Sequence, residues 1–336
     1  MENRTKIEIS TWTVIKVFLI ALVFYLLFFI RDIIALLFIV LILVATFSPV
    51  VKNWQKKIGR VLSIISLFIL LLIIFATVFY IIIPPLVNQV AELANSIPQY
   101  IADTNFDSLR QYTPEIRKTL ENLSANLGLL TSNIFTLTAG IIGGIFTILM
   151  IIVLTFYMLL DEANIREYIS SLFSPKHKES GIGVINKIAY KIGSWFQGQI
   201  FLGIIVFIID FIGLSIIGVP YALILALIAG LLEIIPTVGP FISGAIAALF
   251  ALTISPWKAL FVVIYYLAVQ IIENNILVPK IMQKAVGISP VVIIVAILIG
   301  AKLMGIVGAI LAIPLAASLS VIILEWPTIS KIFSRD

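Results

Sequence analysis

The chain has 336 residues, 61% hydrophobic and 12% charged, with a formal net charge of +5 and a mean hydropathy of +1.19. Soluble domains carry roughly 25% charged residues, so the composition excludes a water-soluble globule and reads as a polytopic, all-α membrane protein. With no cysteine there are no disulfides, thiolate metal centres or cysteine nucleophiles. Gly-x4-Gly-Lys-Ser/Thr, HExxH and GxSxG patterns are missing too, which excludes the usual phosphate-loop, zinc-protease and serine-hydrolase chemistries. The reading is therefore a non-enzyme that needs no cofactor. Its basic excess sets orientation in a membrane rather than binding nucleic acid.

The first three spans fall in residues 1–83. Thr13–Ile30 is an apolar run broken only by Lys16, without a cleavage site after it, and Ile33–Phe47 returns after Arg31-Asp32. That return is short for a crossing, which predicts a tilted or peripheral pair. Lys52, Lys56, Lys57 and Arg60 follow, then the span Val61–Ile83 up to Pro84-Pro85. Residues 84–137 form an amphipathic helical cap outside the hydrocarbon, its second helix starting at Thr113-Pro114-Glu115. Two readings stay open for the cap: a cover over a pathway or subunit contact, and a hairpin lying on lipid. Residues 138–198 hold the fourth span, with Gly140, Gly143 and Gly144 for close helix approach. The same segment holds a basic amphipathic helix whose stripe Ile185, Ile188, Ile192 and Trp195 suits an anionic membrane surface. The lone histidine, His177, sits in the polar run SPKHKES and reads as a solvated loop residue.

Residues 199–324 read as the transport core, and 325–336 as a tail. Gln199–Ile217 is the fifth span. Tyr221–Ile254 is too long for one crossing, about 50 Å as a single helix against a hydrocarbon core of about 30 Å. It breaks at Pro236-Thr237-Val238-Gly239-Pro240. Pro256–Val278 is the sixth span. Pro290–Leu324 is again too long, with Gly300, Gly305 and Gly308 in its break and Pro314 beyond. Pro220 to Gly230 and Pro290 to Gly300 have the same spacing, each framing an aliphatic run. The pattern predicts two broken-helix hairpins after about six full spans, or eight hydropathy segments in all. Segments 199–254 and 256–324 would form an inverted repeat with its tips near the midplane. Lysine and arginine then gather on one side, placing both termini in the cytoplasm. Charge alone does not separate re-entrant hairpins from paired spans.

Ionisable groups inside hydrocarbon are costly, roughly 2.5–3.5 kcal/mol at a helix centre, and point to pathways. Four survive hydropathy: Asp210, Glu233, Glu273 and Lys302. Glu233 and Lys302 occupy the two expected tips, where they would pair if the tips meet; a structural salt bridge and a snorkelling lysine are the plainer alternatives. Gln270, Glu273, Asn274 and Asn275 make a polar cluster able to coordinate a cation, hydrogen-bond a polyol or simply cap the span. Gln197 and Gln199 fit an interface. Pro236, Gly239, Pro240, Gly300, Gly305 and Gly308 act on backbone geometry at the breaks.

The runs GVPYALILALIAGLLEIIPTVGP, QIIENNILVPKIMQKAVGISP and GAKLMGIVGAILAIPLAA strongly resemble the autoinducer-2 exporter family. The resemblance covers nearly the whole chain, by layout more than by residue identity in the N-terminal half. It implies a permease in the inner membrane of a prokaryote, working as a homo-oligomer. Export of a small polar organic molecule, autoinducer-2 in a quorum-sensing role, is the first implied function. Sodium(lithium)/proton antiport is the second, with a monovalent cation or proton at Asp210, Glu233 or Glu273 and no resident metal. A non-transporting membrane scaffold is the third.

Overall fold

The computed structural model describes residues 11–103, part of 114–125, 139–236, 238–252, 254–282, 287 and 289–333. Helices α1 (Thr11–Phe29), α2 (Arg31–Ile58) and α3 (Arg60–Asp103) lead to α4 (Ala139–Leu160) and α5 (Glu162–Ser171). Then come α6 (Lys178–Ile217), α7 (Ala222–Leu232), α8 (Val238–Leu252), α9 (Pro256–Ile272), a π-helical turn at Glu273–Leu277 and α10 (Val278–Met282). Helices α11 (Pro290–Leu324) and α12 (Trp326–Phe333) close the chain. The described residues include five helices long and apolar enough to cross a membrane, or six if α4 and α5, bent by 75° at their junction, count as one. This is the all-α polytopic fold expected from composition.

The 40-residue α6 is the axis of the bundle. Its sequence permits this because glycines recur along it. A Cβ on Gly193 would meet the Ala45 backbone of α2, and one on Gly203 would lie 2.5 Å from the Gly230 carbonyl oxygen of α7. Small residues at such points let helix backbones touch without strong hydrophobic drive. The amphipathic segment and the fifth span, expected as separate elements, are therefore one continuous helix. The far end of the isoleucine stripe, Ile192 and Trp195, is covered by protein, while Ile185 and Ile188 are half-buried. Ile192 is 4% exposed and packs with Ala35, Ile42 and Leu311; Trp195 is 1% exposed and packs with Ile297, Ala309 and Ile313. Protein replaces lipid as the partner because α2 and α11 bring complementary aliphatic faces to that stripe.

Both long C-terminal segments reverse on themselves. Helices α7 and α8 are joined by a short break, with Gly239 set so tightly against the Leu232 backbone that no side chain fits. In α11, Met304 (φ −142°, ψ 19°) and Gly305 (φ 61°, ψ −140°) leave helical geometry. A Cβ on Gly300 or on Gly308 would collide with the other's carbonyl oxygen. In a straight helix those glycines would stand about 12 Å apart, so the arms run back to back around a turn at 304–305. Gly305 has a conformation that glycine alone adopts without strain. The Leu303 carbonyl at this tip accepts a hydrogen bond from Arg31 Nη1 at 3.3 Å.

The span expected to stop at Pro84-Pro85 instead runs on as helix to Asp103. The two prolines remove two ladder donors, and the apolar periodicity on either side carries the helix through. Most of the expected cap, including the helix start at Thr113, falls at 104–138, largely outside the described residues. Thr237 lies outside them too.

Candidate functional site

Helix α7 ends just where Glu233 begins the break, so the carboxylate is delivered to the interior by a helix terminus rather than a helix side. Glu233 is 0% exposed. Its backbone amide donates to the Ala229 carbonyl, and its own carbonyl accepts from the Gln199 side-chain amide of α6. Facing it is Glu273, 2% exposed, carried by the first residue of the π turn. The π geometry follows from the Val278 amide reaching back to the Glu273 carbonyl. The widened turn rotates Glu273 inward and leaves Asn274 and Asn275 at the surface, where Asn275 Nδ2 donates to the Ile271 carbonyl. A helix end and a π turn both leave backbone carbonyls outside the regular i→i−4 ladder.

A third carboxylate, Asp210, is 1% exposed on α6, flanked by the hydroxyls of Tyr265 and Tyr266 from α9. Room for these rings is made by glycine. A Cβ on Gly213 would run into the Tyr265 ring, and one on Gly244 would lie 3.0 Å from the Tyr266 ring. Tyr265 donates to the Ile209 carbonyl at 2.8 Å. Ser243 of α8 stands beside Tyr266 and donates to the Pro240 carbonyl at 3.1 Å. Tyr266 and Gln270 of α9 and Glu273 at the start of the π turn sit at i, i+4 and i+7, one continuous helical face.

Among the described residues, this group has buried polar atoms without a hydrogen-bond partner: Gln199 Oε1, both carboxyl oxygens of Asp210 and Glu233, Tyr266 OH, Gln270 Nε2 and Glu273 Oε2. Buried polar atoms are satisfied in the great majority of cases, so such a concentration sets this group apart from the aliphatic packing around it. Among the described residues, no lysine or arginine is a neighbour that acts on these carboxylates.

Asp210, Glu233 and Glu273 are all buried, Glu233 against Glu273 and Asp210 farther along α6 beside the two tyrosines, while Asn274, Asn275 and Lys302 are exposed. The expected tip-to-tip ion pair does not form: among the described residues no ion pair joins Lys302 to Glu233. Ile235, just after Glu233, packs on the Trp195 cluster of α6, to which the arms of α11 add Ile297 and Ala309. Pro236, Gly239, Pro240, Gly300, Gly305 and Gly308 all sit in or against the two breaks. Gln199, which sequence suited to an interface, turns out to be a member of the buried group at 3% exposed. Tyr265, Tyr266 and Ser243 carried no such expectation, although the polar i, i+4, i+7 stripe in α9 was a readable signal.

A separate polar network closes the basic end of the bundle. Glu162 takes Lys52 Nζ at 2.7 Å, Arg60 Nη2 at 3.1 Å and the Ser48 hydroxyl at 3.0 Å. Arg60 also donates to the Leu159 carbonyl at 2.7 and 3.0 Å, capping α4. Burial pushes the Glu162 carboxyl up, but the bond and charge of Lys52, the Ser48 hydroxyl and the charge of Arg60 outweigh it. They hold the group below the usual carboxylate range. A largely apolar cavity of about 570 Å³ opens here between α2, α4, α5 and α6, with Lys52, Glu162 and Gln197 on its wall; it contains none of the three buried carboxylates.

The comparisons with known proteins agree with this architecture. The family described as AI-2E family transporter matches residues 17–328. YueF of Bacillus subtilis (strain 168) is 30% identical over 311 residues, 88% of this chain and 84% of that protein. YrrI of the same organism is 31% identical over 288 residues, 82% of each. A sodium-lithium/proton antiporter of Halobacillus andaensis is 23% identical over 311 residues, 84% of this chain and 87% of its own. The chain is a member of the AI-2E family of membrane transporters.

Proposed function

We propose that this transporter exchanges protons for a monovalent alkali cation bound between Glu233 and Glu273. The observation that carries the reading is the pair of facing, buried carboxylates with unpartnered oxygens. Gln199 Oε1 and the backbone of a helix end and a π turn lie beside them. Hard cations take shells of several oxygens, and this is where the fold concentrates them. Protons and a cation compete for such a pair because either one offsets its charge. Of the functions the sequence suggests, exchange is favoured over export of a small polar organic molecule, because the group is lined by acids and lacks a paired basic side chain. The likeness to a sodium-lithium/proton antiporter points the same way. On this reading the protein sits in the inner membrane with both termini cytoplasmic, and its expected self-association places more than one such site in each assembly.

The test is reconstitution in vesicles carrying a pH-sensitive dye. An imposed sodium or lithium gradient should drive proton movement in the wild type. Glu233→Gln and Glu273→Gln should abolish it, while Asn274→Ala and Asn275→Ala leave it intact. Cation-independent uptake of a labelled polyol, with no cation-driven proton signal, would overturn the proposal in favour of an exporter.

A further inference from the structure

We infer that Asp210 is a proton-carrying station separate from the cation site, joined to it along the helix face that presents the Tyr266 hydroxyl. The inference rests on the exchange reading above and divides its labour between two places in the core.

Position comes first. Along α6, Asp210 stands seven residues beyond Gly203, whose Cβ position lies 3.7 Å from Glu233 Cβ, about 10 Å of helix rise, toward the end marked by Gly218 and Lys258. Along α9, Tyr266 stands seven residues from Glu273, about 10 Å. Asp210 therefore does not share the Glu233–Glu273 site, and its immediate polar neighbours are Tyr265 and Tyr266. The titratable groups facing it are those two tyrosines and, farther along the seam, Glu273 and Glu233.

Ligand chemistry separates the two places. Asp210 lies in the interior of α6 and Tyr266 in the interior of α9, where carbonyls are engaged in the i→i−4 ladder. The Ile209 carbonyl also receives Tyr265. Around Asp210 there are its own two oxygens and the hydroxyls of Tyr265, Tyr266 and Ser243, without the free backbone carbonyls that a helix end and a π turn leave beside Glu233 and Glu273. Those groups do suit a proton: a carboxyl oxygen, and hydroxyls that both donate and accept. The orphaned Tyr266 OH and Gln270 Nε2 continue on one face of α9 to Glu273. Space for the ring that makes this link is reserved by Gly244.

The two roles separate in one pair of assays on the purified protein in vesicles. Radioactive sodium exchange at equal sodium and equal pH on both sides reads the cation site alone. Proton movement driven by a sodium gradient reads the coupling. Asp210→Asn should keep sodium exchange at the wild-type rate and lose about a hundredfold in sodium-driven proton flux, the scale of a removed proton-transfer group. Tyr266→Phe should slow that flux severalfold without changing the sodium concentration for half-maximal exchange, and Asp210→Glu should restore part of it. Full proton flux in Asp210→Asn, or loss of both activities with the protein still monodisperse, would overturn the inference. Should Asp210→Asn fail to fold, unchanged proton flux in Tyr266→Phe overturns it equally. A wild type that exchanges no sodium at all would instead remove the Glu233–Glu273 reading, and this inference with it.

Discussion

Two alanine substitutions in α6, identical in chemistry, should act with opposite sign. Gly203 touches α7 so closely that a new Cβ would lie 2.5 Å from the Gly230 carbonyl oxygen, whereas a Cβ on Gly183 has nothing within 4 Å. Ordinary contact begins near 3.4 Å, so Gly203→Ala must move the helices apart by about 0.9 Å. Overpacking of that kind costs about 1–3 kcal/mol, against which alanine returns about 0.5–1 kcal/mol of helix propensity. Gly183→Ala has only the favourable term. The two variants should therefore differ by about 1–3 kcal/mol, the full overpacking term. Gly203→Ala should also lose transport, because Gly203 lies beside Glu233 and four residues from Gln199, which holds the Glu233 carbonyl. Thermal unfolding followed by tryptophan fluorescence, run beside the dye assay, reads both effects. Equal melting and equal transport in the two variants would refute the packing argument and with it the placement of Glu233 by the α6–α7 contact.

Two further outcomes follow from geometry elsewhere. Gly305→Ala places a side chain at φ 61°, ψ −140° and should destabilise by about 1–3 kcal/mol; unchanged thermal stability would mean the reversal of α11 is absent. Glu162 is held below its ordinary value of 4.5, so its contribution is fully present above that pH and is lost as the pH falls through the lowered folded-state value. Glu162→Gln should melt below wild type at pH 7, by about 1 kcal/mol, with the gap closing on acidification below pH 4.5; a gap that stays constant into strong acid would contradict the ion network.

Sequence alone determined the membrane class, the helical content and the positions of both breaks. These are one-dimensional properties: hydropathy, the lengths of apolar runs and the backbone preferences of glycine and proline. It also singled out Asp210, Glu233 and Glu273, because a carboxylate in an apolar run is conspicuous wherever the chain later places it. Which of the conspicuous residues meet was decided only in three dimensions. Lys302 looked like the partner of Glu233 because both stand at a tip. The packing of both hairpins on α6 turns Glu233 inward and leaves Lys302 at the surface. The π turn rotates Glu273 away from Asn274 and Asn275, although the three are adjacent in the chain. Gln199, Ser243 and Tyr266 gained their roles from neighbours on other helices. The isoleucine stripe of α6 was legible as apolar, and only the approach of α2 and α11 decided that protein, rather than lipid, would cover it. A periodic pattern specifies that a face must be buried, and tertiary structure chooses against what.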